Sequence, residues 1–275
     1  MPDYPPTQAL AVKDRENFPV GSHLPPKAGR VALWHTYRFA RYAYEIADNP
    51  AYAPEDKHRW LDGLDTALTS GDTTDVPASL HPFYAELQTG RLSRIWPQKL
   101  LHAFRQDVDK QRYSNWEELE DYCRHSAVPV GRMVLEACGE DEAHLDAADK
   151  LCIVLQLLNH AQDIKSDYTK RNRIYLPQTW LEAGAENDFT QDRLTPALRQ
   201  TLDRLLDECT KLLAHTATLP SSIQSLRLRW ELAFTLELAH QLLTRLRHGD
   251  PMATRIAVPK WQWPLWLLIS VRRMR

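Results

Sequence analysis

The sequence predicts an all-α fold. No Asn-Gly or Asp-Gly hairpin lies between alternating runs, and no stretch alternates β-branched with polar residues. Apolar residues instead recur at three- and four-residue intervals along nearly the whole chain. Stops and starts of helical type punctuate that pattern.

The elements follow in order. A Pro-rich arm covers residues 1–26, and a first long helix spans roughly 28–48, stopped by Asn49-Pro50. A second helix starts near Pro54 and runs to about Ser70, before the loop "SGDTTDVPAS". Helices are expected near 81–90 and 97–112. Ser114 with Glu117 reads as a capping box that opens a helix to Cys138, kinked at Pro129 and ended by Gly139. A helix over 141–169 comes next, then two amphipathic ones near 190–216 and 221–248, then a terminal stretch after Pro259. No repeat, linker or low-complexity block interrupts them, so residues 27–275 read as a single helical domain behind the arm.

Composition bounds the function. With 43% hydrophobic and 25% charged residues the chain is an ordinary globular one. A net charge of −2 offers no footprint for nucleic acid. Cys123, Cys138, Cys152 and Cys209 are widely spaced, which suits reduced cytoplasmic thiols rather than disulfides or zinc. The start, "MPDYPPTQALAVKDREN", lacks the apolar core of a secretory signal. The end, "WQWPLWLLISVRRMR", is too short an apolar run to span a bilayer. Its tryptophans and Arg272, Arg273 and Arg275 suit peripheral attachment to the cytoplasmic membrane; a last helix closing the core is the other reading.

The chemistry concentrates in "LQLLNHAQDIKSD", residues 155–167. Asn159, Asp163 and Asp167 drift only about 40° per step, so they form one stripe about 12 Å long, with Gln156 near its top. Ile153, Val154, Leu157 and Ile164 take the opposite face. Carboxylates one turn apart repel unless a cation sits there, and hard oxygens in a row suit Mg²⁺. A solvated helix end is the plain alternative. The stretch "HTYRFARYAYEIAD", 35–48, offers a partner, with Tyr37, Arg41, Tyr44, Glu45 and Asp48 on one face. Two such stripes facing each other in an apolar bundle would clamp a diphosphate through Mg²⁺, with room for a hydrocarbon tail.

Four stretches carry a family resemblance: "ENFPVGSHLPP", "YRFARYAYEIAD", "YCRHSAVPVGRMVL" and "LQLLNHAQDIKSDYTKRNRIYLP". In order and spacing they resemble the squalene/phytoene synthase family across nearly the whole chain. The resemblance implies an isoprenoid-synthase helical bundle around a central apolar cavity, acting on an isoprenyl diphosphate. It implies Asn159, Asp163 and Asp167 as a metal motif, Tyr37 and Arg41 at the diphosphate, and Tyr122 near the developing cation. Phe18 and Ser22 would line the entrance; Tyr44, Val130, Gly131, Gln156, Gln162, Arg173 and Tyr175 would line the substrate pocket. Gln162 stands where many condensing members carry arginine, which resembles the branch that makes hydroxysqualene for hopanoids from presqualene diphosphate and water. Contact with other hopanoid-pathway enzymes is a further implication.

One departure stands out. The family's first acidic motif is R-x-x-D-D-x-x-D, and here Arg41 is followed by Tyr44, Glu45 and Asp48. Tyrosine is a poor Mg²⁺ ligand, whereas Glu45 and Asp48 remain as candidates. A weakened or non-catalytic relative is one reading; an enzyme that ionises only presqualene diphosphate is the other. Condensation of farnesyl diphosphate is the rival reaction. Lys170, Arg171 and Arg173 would meet a diphosphate or simply cap a helix C-terminus. No Gly-rich dinucleotide fingerprint occurs, so NADPH is not expected.

Overall fold

A computed structural model describes residues 4–5, 27–140 and 145–270. The helices are α1 (Lys27–Asp48), α2 (Pro54–Ser70), α3 (His81–Gln88), α4 (Ile95–Asp109), α5 (Trp116–Ser126) and α6 (Val128–Cys138). They continue with α7 (Leu145–Arg171), α8 (Pro196–Ala214), α9 (Leu219–Ser222), α10 (Leu226–His248) and α11 (Trp263–Ser270). Among the described residues there is no strand, only an isolated bridge between Arg112 and Ile174.

The expected kink at Pro129 is a break. α5 and α6 are separate helices joined at Ala127. Proline lacks an N–H and crowds the preceding turn, so it settles in the first turn of α6, where a missing donor costs nothing. The cap expected at Ser114 lies one residue later. Asn115 Oδ1 accepts the Glu118 N–H at 2.9 Å, and the Glu118 carboxylate accepts the Ser114 N–H. The helix expected from about 190 begins at Pro196, capped by Thr195, whose Oγ1 accepts the Leu198 N–H at 3.2 Å. Ser225 likewise caps α10, after the single turn of α9.

Two apolar centres hold the bundle. One gathers Phe39, Ile46, Leu61, Leu64, Phe83 and Leu101 from α1 to α4. The other gathers Leu119, Ile153, Leu157, Leu202, Leu206 and Leu242 from α5, α7, α8 and α10. α4 and α6 serve both: Phe104 and Met133 belong to the first, Ala103 and Leu135 to the second. Burial at this density supplies the main stabilising term.

The last helix doubles back on α10. Trp263 meets Phe234 edge-on at 5.6 Å, and Arg245 Nη2 donates to Gln262 Oε1 at 2.6 Å. Its other side stays open: Trp261 is 78% and Leu268 71% exposed. No helix among the described residues is long and apolar enough to cross a membrane. Arg272, Arg273 and Arg275 lie outside the described residues.

Candidate active site

α1 and α7 face each other across a cavity of about 1700 Å³. Each helix buries one face and turns the other toward that space. On α1, Phe39, Ala43 and Ala47 go into the core, while Tyr37, Arg41, Tyr44, Glu45 and Asp48 line the cavity. On α7, Ile153, Val154, Leu157 and Ile164 are buried, while Gln156, Asn159, Asp163 and Asp167 line it. The four-residue spacing therefore does what the helical period requires.

The α1 row is tied up internally. Arg41 Nη2 pairs with Glu45 Oε1 at 3.1 Å, and the Tyr44 hydroxyl donates to Asp48 Oδ2 at 3.0 Å. Burial, then Asp48, pushes the Tyr44 hydroxyl far above the ordinary tyrosine range, so it remains a donor. Asp48 Oδ1 is buried and accepts no hydrogen bond; Arg173 Nη1 stands 3.9 Å from it.

On α7, burial pushes the Asp167 carboxyl up to about 7, and Asp163 adds to the rise against the pull of Arg171 and Arg173. Burial outweighs the guanidinium beside it, since Arg171 Nη1 pairs with Asp167 Oδ1 at 3.1 Å. Arg255 Nε stands 3.6 Å from Asp163 Oδ1.

A second, fully buried network forms the cavity wall. Tyr122 donates its hydroxyl to Asp107, with 3.0 Å to each carboxylate oxygen. Arg173 Nη1 lies 3.4 Å from Asp107 Oδ1, and its Nη2 donates to the Asp107 carbonyl at 2.6 Å. Arg173 also donates to the Tyr175 hydroxyl at 3.0 Å, and the His160 ring stacks on Tyr175. Burial raises the Asp107 carboxyl to about 6 despite Arg173 and Tyr122. Burial, then Arg173, lowers His160 to about 3, so its imidazole stays neutral.

The remaining candidates divide. Val130 lines the cavity and is exposed. Gln162 borders it but is engaged elsewhere: its Nε2 donates to the Ile256 carbonyl, and its Oε1 accepts from Arg255 Nη2 at 3.0 Å. Gly131 does not line the cavity. A Cβ there would come 2.3 Å from Cys152 Sγ, so the glycine lets α6 pack closely on α7. Phe18 and Ser22 lie outside the described residues.

Sequence reasoning missed Asp107, His160 and the segment after α10. There the chain folds back, and Pro251, Met252, Thr254 and Arg255 border the cavity. Asp250 pins the segment by accepting the Leu194 N–H at 3.2 Å and the Met252 N–H at 2.9 Å. Gly249 permits the fold-back, because a Cβ there would meet Ile256 Cδ1 at 2.6 Å.

Comparison with known proteins agrees with the all-α fold. The squalene/phytoene synthase family profile matches residues 11–263. The chain belongs to that family. It is 36% identical to hydroxysqualene synthase of Sinorhizobium fredii over 94% of this chain and 87% of that one. It is 31% identical to 15-cis-phytoene synthase of a Paracoccus species, over 90% of this chain and 83% of the relative. Among solved structures, squalene synthase HpnC from Alicyclobacillus acidocaldarius superposes with a TM-score of 0.73 at 29% identity, covering 83% of this chain and 87% of that one. A dehydrosqualene synthase superposes with a TM-score of 0.81 at 19% identity, covering 94% and 92%, and speaks for the shared all-α fold.

Proposed function

We propose that the protein converts presqualene diphosphate and water into hydroxysqualene and diphosphate. The carrying observation is the inequality of the two rows. α7 presents three hard-oxygen donors, Asn159, Asp163 and Asp167, the last paired with Arg171 at 3.1 Å, whereas α1 has tyrosine at position 44 and commits Asp48 to Tyr44 and Glu45 to Arg41. One equipped row suits one ionisation. Building presqualene diphosphate first would require ionising a farnesyl diphosphate as well. The relatives named hydroxysqualene synthase support the same choice.

The oxygen donors of the α7 row, Asn159 and Asp163 foremost, suit Mg²⁺. When bound, Mg²⁺ would neutralise charge on the departing diphosphate. The chain's own groups do the rest. Arg41 and Lys170 border the cavity and offer donors to phosphate oxygens. The C–O bond to diphosphate breaks, the cyclopropylcarbinyl cation rearranges, and a water oxygen bonds to it and releases its proton. No electrons are supplied, so no reductant is needed. Tyr44, Phe104, Tyr122 and Tyr175 line the cavity with aromatic rings, whose electron-rich character favours a cation. Holding His160 neutral avoids a competing positive charge in that wall.

The test supplies purified protein with Mg²⁺ and either presqualene diphosphate or farnesyl diphosphate, with and without NADPH. Hydroxysqualene from presqualene diphosphate, independent of NADPH, is expected. A C30 or longer product from an allylic diphosphate alone would overturn the proposal in favour of condensation, the reading the 15-cis-phytoene synthase relative favours.

The same reading locates the protein on the inner face of the cytoplasmic membrane, beside other hopanoid-pathway enzymes. Its product is a C30 alcohol that water does not hold, and the open side of α11 with the turn before it presents Trp261, Leu265 and Leu268.

A further inference from the structure

Arg171 stands between the two acidic rows. Its Nη2 donates to Asp48 of α1, and its Nη1 donates to Asp167 Oδ1 of α7 at 3.1 Å. Among the described residues no group of three or more His, Cys, Asp or Glu converges as a metal site. The α7 row has the chemistry for a divalent ion, but the α1 row does not fit one: Tyr44 is a donor there, and Asp48 is already bridged.

The position of Arg171 is built rather than incidental. α7 ends at Arg171, and Asn172 then adopts a left-handed conformation with φ 51°. Asparagine tolerates that region better than most residues. Arg112 Nη2 fixes the turn by donating to Asn172 Oδ1 at 2.9 Å, and the Arg173 N–H donates to the Asp167 carbonyl at 3.1 Å. The turn brings both Arg171 and Arg173 to the acidic rows. Arg173 is 7% exposed and committed to Asp107, whereas Arg171 is 27% exposed and borders the cavity.

Two carboxylates held this close repel unless a cation joins them, and a planar guanidinium reaches both through separate N–H groups. Resting on the reading of the cavity as an isoprenyl diphosphate site, we infer that Arg171 replaces a divalent ion as the cation joining α1 to α7. Asp48 is then a partner of arginine, not a metal ligand. Divalent ions are left to the Asn159–Asp163 part of the α7 row. The exchange also accounts for Tyr44: its hydroxyl donates to Asp48 Oδ2, the oxygen that Arg171 also reaches, where a carboxylate would repel.

The test reads Mn²⁺ binding without turnover, from the free-ion electron paramagnetic resonance signal, with circular dichroism as a check on folding. Asp48→Asn is expected to bind Mn²⁺ within about threefold of the unaltered protein, because Asp48 is not a ligand. A loss of about tenfold or more would overturn the inference. Arg171→Gln frees Asp48 and Asp167 and is expected to tighten Mn²⁺ binding by about tenfold or to add a bound ion; unchanged binding would also overturn it. Should Arg171→Gln not fold, the Asp48→Asn comparison decides alone. Diphosphate release from isoprenyl diphosphates is measured in parallel. Its absence beside the expected Mn²⁺ pattern would sink the substrate reading and leave the Arg171 bridge standing.

Discussion

Tyr122 on α5 donates its hydroxyl to Asp107 on α4, equidistant from both carboxylate oxygens at 3.0 Å. Both residues are buried, so neither group has water as a substitute. Tyr122→Phe is therefore expected to cost about 1–3 kcal/mol, because it leaves the carboxylate short of a donor. Urea unfolding with an unchanged denaturant slope measures it. Undiminished stability would mean that the pair does not form in solution.

Asp163→Asn addresses the centre of the α7 row. Its side chain is 39% exposed and the replacement keeps its shape, so the fold should survive. Turnover should fall by about 10²-fold or more, since a charge acting on the transition state is lost. Diphosphate release at a matched circular dichroism spectrum is the measurement; normal turnover would remove the row from the mechanism.

Tyr44→Asp restores the carboxylate that the family motif carries. Here it discards the Tyr44–Asp48 bond, the edge contact with Phe104 at 6.1 Å and the Arg41 contact 5.2 Å from the ring centroid. It also sets a second carboxylate beside Asp48. We expect lower turnover and a stability loss of about 1–3 kcal/mol. A large gain in turnover would identify the native site as impaired.

His160 gives the protein an acid sensitivity of known sign. Its folded value of about 3 lies below the ordinary 6.5, so the neutral ring contributes stability that is complete above pH 6.5 and is lost as pH falls toward 3. Between about pH 6.5 and 4.5 the loss approaches roughly 2.7 kcal/mol, at about 1.4 kcal/mol per pH unit. His160→Gln should flatten that part of the stability profile, read by urea unfolding at both ends of the range. An unchanged profile would refute the buried neutral ring.

Deleting residues 261–275 separates the two expectations for the tail. Trp263 packs on Phe234, so some stability is lost. A folded, active protein that leaves the membrane fraction is the expected result. Unfolding on deletion would make the tail a structural closure and end the case for attachment.

The helices were legible because their apolar spacing survives folding unchanged. The α7 row was legible for the same reason, since a four-residue step fixes a common face. Asp107 carried a signal that went unread: it continues the stripe Leu100, Ala103, Phe104, where a carboxylate among apolar residues marks a buried partner. His160 likewise continues Ile153 and Leu157. Arg255 had no such signal, because only the fold-back pinned by Asp250 brings it to Asp163. In the sequence Arg171 reads equally well as a helix cap, because only the fold sets Asp48 and Asp167 on either side of it.

Since α4 and α6 each contribute to both apolar centres, neither centre can melt while the other stays intact. The cavity runs along the seam, with α1 on one flank and α7 on the other. Loosening on either side parts the acidic rows as the chain unravels. Heat should then abolish diphosphate release and helicity together, in one cooperative transition, and fragments severed near Cys138 should not regain either when mixed.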